Sequence, residues 1–592
     1  MRSITFLLSI LLIFRCSSPK EKIPDVPLMQ SKAKKIVIYQ MMTPLFGNQI
    51  TLNKLHGTLE ENGVGKFNDI SDAALKGIKE LGTTHVWYTG VLEHATQTDY
   101  TKFGIPLDDP DVVKGRAGSP YSIKDYYDVD PDLAVNVENR MQEFEQLVDR
   151  THKNDLKVII DFVPNHVARA YHSDVKPEGV RDLGEDDDKS VGFKQSNNFY
   201  YLLGQSFQPP RNIFGLGKDG KFAESPAKAS GNDQFVAAPS VNDWYETVKL
   251  NYGIDIQGGR KNYFDPVPNT WIKMKDILIY WAKKKVDGFR CDMAEMVPVE
   301  FWNWAIPQLK EINPEIIFIA EIYNPTLYRS YIDKGKFDFL YDKVQLYDLL
   351  RSLTNQKQQA KDIATVQESL KGINSNMLHF LENHDEQRIA SPFFATDPWK
   401  AVPAMVVSAT IDQSPIMIYF GQEVGEQGAG AEGFSGDDGR TTIFDYWGVP
   451  SNQKWMNGGK FDGGALSDEQ KQLRQFYSDI LQFASNNPAI ASGEYFDLTK
   501  LNVEKGNLPP LVHAFIRTSG EEHLLIVTNF DSKLEKIKLQ LSDEAIKAMQ
   551  LASGTKYIGR DLLRSGMDIG FDNFFTEIEL TPHSAFIFKI KS

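Results

Sequence analysis

The sequence is poor in cysteine, has no excess of positive charge and has few long apolar runs, and each shortage excludes a class of protein. Among its 592 residues only Cys16 and Cys291 are cysteines, which excludes a disulfide-stapled scaffold. The formal charge is -14, with 65 Lys and Arg against 79 Asp and Glu, which argues against a nucleic-acid partner. Stability must therefore come from packing, and neutral substrates suit the charge best.

An apolar run at residues 4–14 follows a basic start and is too short to span a bilayer as a mature helix. It predicts a secretory signal. Cys16 and the polar residues after it resemble the lipid-modified cysteine and tether of a bacterial lipoprotein, although Arg15 stands where that pattern prefers a small residue. We expect residues 1–32 to be signal and tether, and the protein to be exported and anchored in a bacterial envelope. Ordinary signal cleavage nearby is the alternative.

From about residue 33, short apolar runs alternate with helical stretches, which is typical of parallel βα units. The helical segment 70–82, for example, has Asp72 near its start and Gly82 to end it. We therefore predict an α/β fold with a closed (β/α)8 TIM barrel, a doubly wound open sheet being the alternative. The predicted strands are 35–40, 84–90, 157–163, 286–292, 316–322, 338–342, 377–383 and 415–421.

Two stretches depart from this alternation. Residues 167–260, after the third strand, are rich in Gly, Pro, Asp and Ser with clustered aromatics, which predicts an inserted domain over the barrel mouth. Residues 485–592 read as short strands with turns, which predicts a C-terminal antiparallel β-sandwich domain. The barrel would then be formed by residues 33–166 and 261–484.

Polar side chains stand at the carboxyl ends of four predicted strands. Because strand residues alternate in direction, Arg290 and Asp292 share one face and Cys291, expected to be a packed thiol, lies on the other. Catalytic groups of (β/α)8 barrels come from these strand ends, so we expect the set to converge on one cavity. In strand order it comprises Asp161, Asn165 and His166, Arg290 and Asp292, Glu321, and His384 and Asp385.

The segments DFVPNH, GFRCD, FIAEI and ENHDEQR, in this order, resemble the four signature segments of the α-amylase family, glycoside hydrolase family 13. The resemblance extends over the barrel and the C-terminal domain. It implies a retaining glycosidase that acts on α-glucosidic bonds of an α-glucan or maltooligosaccharide, with the inserted stretch as its domain B. It also implies that Asp292 is the nucleophile, Glu321 the general acid and base, and Asp385 a third carboxylate that binds and distorts the sugar.

The same resemblance implies a set of substrate-binding residues. Arg290 would pair with the nucleophile, His166 and His384 would hydrogen-bond sugar hydroxyls, and Tyr121 would lie under the reactive ring. Asp438 and Arg440 would bind sugars at the non-attacking end, or else form a plain surface turn.

Retaining hydrolysis requires two carboxyl groups about 5 Å apart, one ionised and one protonated. We expect Arg290 to favour the ionised form of Asp292 by charge pairing. Glu321, with less compensation, would then keep its proton.

The resemblance also implies a structural Ca²⁺ ion, because an Asn that matches Asn165 ligates one in many relatives, with a carbonyl partner near Met296. The alternative is that Asn165 only hydrogen-bonds loop backbone. We expect no organic cofactor. Two other functions stay open: a transglycosylase or isomerase that handles sucrose or trehalose, and a glycan-binding relative without catalysis.

Overall fold

The computed structural model describes residues 34–211, 216–563 and 566–592, so the predicted signal, tether and Cys16 lie outside the described residues. Within these ranges eight parallel strands close into a barrel, in the spatial order β1, β8, β7, β6, β5, β4, β3, β2. The predicted (β/α)8 fold is confirmed. The strands are β1 Val37–Met42, β2 His85–Thr89, β3 Lys157–Phe162, β4 Gly288–Cys291, β5 Ile317–Ala320, β6 Phe339–Tyr341, β7 Met377–Phe380 and β8 Ile416–Tyr419.

The barrel strands are buried on both faces. All six residues of β1 and all four of β4 are buried, because helices cover the outside and side chains fill the inside. This double burial is why the strands read as continuous apolar runs in the sequence. Charged residues at the carboxyl ends of these strands, or directly after them, lie at the opening of the barrel.

The helices that alternate with the strands begin and end with local signals. In the helix Asp72–Lys79, the Ser71 side chain accepts a hydrogen bond from the backbone N–H of Ala74, and Asp72 lies in the positively polarised first turn. Gly82 follows at a φ of +91°, a conformation that side chains with a Cβ rarely adopt. Further helices of this region include Arg140–Lys153, Asn269–Lys283, Val299–Ile312, Tyr328–Asp333, Asp348–Thr354, Lys361–Ser369, Val402–Thr410, Pro450–Met456 and Asp468–Asn486.

The stretch after β3 contains short antiparallel pairs and a small apolar core. Its first strand, His166–Ala168, pairs with Thr247–Lys249 and so ties the end of β3 to the far end of the insert. Tyr201–Leu202 pairs with Ala227–Lys228, and Ile254–Asp255 pairs with Lys261–Asn262. The exact domain boundaries at 167 and 260 stay predictions.

The C-terminal region is a β-sandwich with its own core. Six antiparallel strands form one sheet, and a two-stranded ribbon lies against it. The sheet contains Glu494–Asp497, Val512–Ser519, Glu522–Asn529, Tyr557–Asp561, Asp568–Phe571 and Ser584–Lys591, and the ribbon contains Glu535–Gln540 and Phe575–Leu580. In the part of the chain that the structure describes, no helix has the length and apolarity needed to cross a bilayer.

Candidate active site

Arg290 lies at the centre of a buried group of carboxylates at the carboxyl end of the barrel. Its Nη1 donates to Oδ1 of Asp292 at 2.8 Å, and its Nη2 lies 2.8 Å from Oε2 of Glu321. Nη1 is also 3.3 Å from Oδ1 of Asp161. These carboxylates stand at the ends of the neighbouring strands β3, β4 and β5. One fully buried cation therefore holds three adjacent strand ends together.

Aromatic rings enclose the guanidinium group of Arg290. Its Cζ lies 5.3 Å from the ring centroids of Trp87 and Tyr121 and 5.4 Å from that of Tyr341. Its Nε donates to the hydroxyl of Tyr341 at 3.2 Å, and Nε1 of Trp87 donates to Oδ2 of Asp161 at 2.9 Å. These contacts fix the guanidinium plane and keep water away from it.

The expectation that Glu321 is less compensated than Asp292 is wrong. Glu321 accepts hydrogen bonds from the backbone N–H of Met293 at 2.8 Å and from the hydroxyl of Tyr323 at 2.7 Å, besides its contact with Arg290. The physical reason is that the guanidinium has two terminal nitrogens, and each lies 2.8 Å from a carboxylate oxygen at a different strand end. Asp292 differs in another way: among the described residues, no donor contacts its Oδ2.

The site carries more negative charge than Arg290 can balance. Burial and the charge of Glu321 raise the pKa of Asp292 well above its ordinary value, although Arg290 opposes the shift. Burial and Glu321 also raise the pKa of Asp385 to about 7, and burial raises that of Asp161 to about 6. Several carboxyl groups around one guanidinium thus favour a proton in the site near neutral pH. A mixture of ionised and protonated carboxyls is what acid and nucleophile chemistry requires.

His384 connects the barrel interior to Asp385 at the rim. Its Nδ1 accepts from Nε2 of Gln40 at 2.8 Å, so the ring proton belongs on Nε2, which lies 2.6 Å from the hydroxyl of Tyr121 and 3.1 Å from Oδ2 of Asp385. Burial lowers the pKa of His384 well below its ordinary value, which keeps the imidazole neutral. The Tyr121 ring stacks on it, with centroids 5.2 Å apart. The Asp385 side chain is 34% exposed and therefore faces the opening.

The structure places His166 against Trp244 and Asn165, without a hydrogen bond to the three predicted catalytic carboxylates in the described part of the chain. It is buried with its ring centroid 5.1 Å from that of Trp244, and its Nδ1 lies 3.1 Å from Nδ2 of Asn165. Burial and the charge of Lys249 lower its pKa to about 3, and its ring interacts with the backbone of Tyr121. In the described part of the chain, none of its hydrogen bonds goes to Asp292, Glu321 or Asp385, so its predicted contact with a sugar hydroxyl stays a prediction.

Asp438 and Arg440 form an ion pair in the loop after β8. Nη2 of Arg440 lies 2.6 Å from Oδ2 of Asp438, and its Cζ lies 4.1 Å from the ring centroid of Phe434. The charge of Arg440 is close enough to lower the pKa of Asp385, against the larger effect of burial. The pair therefore lies toward the rim of the same opening, and its predicted contact with a sugar stays a prediction.

Asn165, the predicted calcium ligand, faces a lysine. Nζ of Lys249 donates to Oδ1 of Asn165 and lies 2.8 Å from Oδ1 of Asp233 and 3.2 Å from the carbonyl oxygen of Met296. Nδ2 of Asn165 donates to the carbonyl of Gly231 at 2.8 Å. An ammonium group already lies among the oxygen atoms that a divalent ion would need. The residues around Asn165 therefore do not fit a calcium ion, and the structure does not support the prediction that Asn165 is a calcium ligand.

Several residues of the site were not identified from the sequence. Gln40 and Tyr341 lie in β1 and β6, toward their carboxyl ends, so the signal that identified the others was available for them. Asp161 was counted among the polar strand ends, in the segment DFVPNH, but it was given no role in the site. Tyr323 and Lys249 lie outside the barrel strands, and their importance comes from contacts that sequence spacing does not reveal.

Comparison with known proteins adds independent observations. Residues 52–472 match the family model for the α-amylase catalytic domain. α-Amylase 3 of Dictyoglomus thermophilum is 24% identical over 408 residues, which cover 63% of this chain and 68% of that protein. Neopullulanase 2 of Thermoactinomyces vulgaris is 20% identical over 530 residues, covering 87% and 72% of the two chains.

Solved structures agree on the fold. The α-amylase of Geobacillus thermoleovorans, complexed with acarbose, superposes with a TM-score of 0.59 at 20% identity, covering 94% of this chain and 98% of that one. A maltogenic α-amylase from Thermotoga neapolitana gives a TM-score of 0.60 at 17% identity, with coverages of 94% and 98%. The similarity thus includes the barrel, the insert and the C-terminal sandwich.

Proposed function

The chain belongs to the α-amylase family and is an α-glucan-active glycoside hydrolase, and we propose that it cleaves α-glucosidic bonds with retention through Asp292, Glu321 and Asp385. One observation carries the proposal: Nη1 and Nη2 of Arg290 each lie 2.8 Å from a carboxylate on neighbouring strands. Both carboxyl groups are thereby held within the span of one guanidinium group. A retaining mechanism requires such a pair, about 5 Å apart.

In this proposal Asp292, which stands at the position of the family's nucleophile, attacks through Oδ2, the oxygen that receives no hydrogen bond from the described residues. Oδ2 attacks the anomeric carbon while the bond from that carbon to the glycosidic oxygen breaks, and the leaving oxygen takes a proton from Glu321. In the second step Glu321 removes a proton from water, the water oxygen bonds to the anomeric carbon, and the ester bond to Asp292 breaks. Two inversions give net retention.

Tyr323 lets Glu321 change its protonation state without losing a partner. Its hydroxyl lies 2.7 Å from Oε1 of Glu321 and donates while the carboxylate is ionised. A hydroxyl group can also accept, so it can rotate to accept a hydrogen bond from the protonated carboxyl of Glu321 before that proton passes to the leaving oxygen. Tyr323 is therefore a positioning residue for the acid and base steps.

The substrate-binding groups at the opening are neutral or paired, as suits an uncharged sugar. His384 offers an N–H and Asp385 a carboxylate to neighbouring hydroxyls, and the Tyr121 ring provides a flat apolar face. Asp438 and Arg440 would contact a sugar farther from the scissile bond. The substrate that these groups fit is an α-glucan or a maltooligosaccharide.

The test is a substrate screen with products resolved by size and anomer, covering starch, pullulan, maltose to maltoheptaose, sucrose and trehalose. We expect reducing ends to rise in proportion to bonds cut, with the α-anomer formed first. Initial release of the β-anomer would contradict retention. Products that conserve the number of glycosidic bonds would instead indicate transfer or isomerisation, and binding without cleavage would indicate a glycan-binding protein, neither of which the named relatives favour.

We also propose that Lys249 supplies the positive charge that calcium provides in many relatives. Its Nζ contacts Asn165 at the end of β3, Asp233 in the insert and the Met296 carbonyl after β4. It thus connects the insert to two strand ends. The test is to remove metal from the wild-type protein and measure its activity. If activity were lost and returned only when calcium could bind at Asn165, the role proposed for Lys249 would be contradicted.

Export and lipid anchoring through Cys16 remain a proposal from the sequence. Labelled fatty acid should enter the protein in a bacterial host, and Cys16→Ala should move it from the membrane fraction to the soluble fraction. A wild-type protein that incorporates no label would contradict the anchor.

A further inference from the structure

A second group of carboxylates lies outside the active site, on a two-stranded ribbon. The strand Leu92–His94 follows β2, and the strand Ile123–Val129 pairs with it so that Glu93 stands directly opposite Asp125. Like charges in this position destabilise a ribbon. Asp174, at the start of the insert, joins them, and its backbone N–H donates to Oδ2 of Asp125 at 3.0 Å.

The three side chains offer oxygen atoms to a common point. One carboxylate oxygen from each of Glu93, Asp125 and Asp174 lies within 4.8 Å of the others. Two oxygens on opposite sides of a Ca²⁺ ion are about 5 Å apart, because each Ca–O distance is about 2.4 Å. All three oxygens can therefore bind one ion.

Glu93 has no hydrogen-bond partner among the described residues. It is 1% exposed, and no donor in that part of the chain bonds to its Oε1 or its Oε2. Oδ1 of Asp174 likewise has no donor there. A buried carboxylate without partners is strongly unfavourable in a folded protein, so a positive charge is missing at this point.

The nearest basic groups do not supply that charge. Arg140 contacts Asp128, and its Nη2 is 3.4 Å from Oδ2 of Asp174, the oxygen on the far side from the unpartnered Oδ1. Nζ of Lys124 bonds to Asp108 at 3.1 Å and to a backbone carbonyl. Neither side chain donates to Glu93.

We infer that Glu93, Asp125 and Asp174 form a binding site for one divalent cation, of which calcium is the best match. Carboxylate oxygens are the ligands that calcium prefers, and their separation suits it better than the smaller Mg²⁺. The Asp174 side chain is 12% exposed, which gives water access to complete the coordination. The site is separate from the Lys249 group, and it does not depend on the proposed function.

Such an ion would connect three segments near the active site. Glu93 follows β2, Asp174 begins the insert, and Asp125 lies four residues after Tyr121, which stacks on His384. Occupation would hold the Tyr121 segment against the insert. We therefore expect the ion to act on stability and on substrate affinity more than on the chemical step.

A proton is the competing source of positive charge. Burial, together with the charges of Asp174, Asp125 and Asp128, raises the pKa of Glu93 well above its ordinary value. A protonated Glu93 could then donate to one of its neighbours with no metal present. Direct measurement of metal binding distinguishes the two.

The experiment uses the full chain, stripped with a chelator and titrated with CaCl₂ by isothermal calorimetry and by thermal unfolding. We expect one calcium per chain, and a rise in Tm of about 2 °C at a hundredfold excess over Kd. Glu93→Gln should weaken binding at least tenfold and abolish the calcium-dependent rise. Without calcium the same variant should melt at or above the wild-type temperature, because it removes a repulsive charge.

Two further variants make the result decisive. Asp174→Asn should also weaken calcium binding, and it covers the case in which Glu93→Gln fails to fold. Asp233→Asn, at the Lys249 group, is the matched control and should keep the calcium-dependent rise. The inference is overturned if wild-type protein binds no calcium, or if Asp233→Asn loses the rise while Glu93→Gln keeps it.

Discussion

The two groups of buried carboxylates handle negative charge in opposite ways. In the active site, Arg290 stands among Asp161, Asp292 and Glu321 and contacts all three. In the ribbon group, Glu93 is just as buried, and within the residues that the structure describes it has no donor at either oxygen. The first group includes its own positive charge, the Arg290 side chain, whereas the second needs a cation from solution.

This difference follows what each group has to do. A nucleophile and an acid must change protonation and bonding during turnover, so a fixed cation that never dissociates is required beside them. A structural group has no such demand, and an exchangeable ion can serve it. A third group of buried carboxylates, Asp342 and Asp412, lies between these two cases. Its counter-charge is the buried His379, which contacts both carboxylates and can gain or lose its charge with pH.

The largest effect is expected from neutralising the reacting carboxylates. Asp292→Asn and Glu321→Gln should each lower kcat by about 10³-fold or more without unfolding the protein, because they remove the proposed nucleophile and the proposed acid. Asp287→Asn is the matched control, since Asp287 precedes the same strand β4 at the opposite end of the barrel. It should keep kcat within about twofold. Steady-state kinetics on maltooligosaccharides provide the test, and near-normal turnover in either active-site variant would contradict the assignment.

Removing the built-in cation should affect both stability and activity. Arg290→Met leaves buried carboxylates without compensation, and we expect the free energy of unfolding to fall by about 3–5 kcal/mol at pH 7. The loss should shrink at pH 5, where protonation replaces the missing charge. Urea unfolding at both pH values measures this. Equal stability of the variant and the wild type at pH 7 would show that Arg290 is not needed to balance the group.

The titratable counter-charge predicts a pH dependence. Burial opposes the charged imidazole, but Asp412 and Asp342 together raise the pKa of His379 to about 9. Because the folded pKa lies above the unfolded value of 6.5, the stabilisation is complete below pH 6.5 and is lost as the pH rises through 9. We expect a loss of about 3 kcal/mol across this window. His379→Gln should flatten the curve, and an unchanged slope in that variant would exclude His379 as its source.

The smallest effect is expected at the Lys249 group. Lys249→Met should lower the free energy of unfolding by about 1–3 kcal/mol, because Asn165, Asp233 and the Met296 carbonyl lose a charged donor. Lys285→Met is the control, since its ion pair with Asp149 is exposed and should matter by less than about 0.5 kcal/mol. Equal effects of the two substitutions, measured by urea unfolding, would contradict the role proposed for Lys249.

The fold was predictable because the barrel strands are apolar on both faces. Each predicted run contains an observed strand or overlaps it, and β7, for example, occupies residues 377–380 of the predicted 377–383. Seven of the eight runs extend past the observed strands because the residues after those strand ends are still buried, whereas the first run, 35–40, ends two residues before Met42. The C-terminal sandwich followed from its turns and short strands in the same way.

Only the site residues whose place follows from their position at a strand end could be predicted from the sequence. Asp292 and Glu321 stand at strand ends and were found there, but the equal sharing of Arg290 between them depends on side-chain geometry. Lys249 and Asn165 are 84 residues apart, and no periodicity connects them. Glu93 and Asp125 meet on an irregular ribbon with shifted register, which a pattern of alternating residues does not reveal.

The lysine at the junction of insert and barrel has a consequence for where this protein can work. A bound metal occupies its site only while its concentration exceeds the dissociation constant, and it can be withdrawn by any stronger ligand in the surroundings. The Lys249 ammonium group is part of the chain, so it is present in every folded molecule. The entropy lost in placing it there is part of the entropy lost in folding, and no separate binding step is needed. The contact that Lys249 makes between the insert and the ends of β3 and β4 should therefore be independent of dilution and of the calcium concentration, whereas the contact at Glu93 should depend on both.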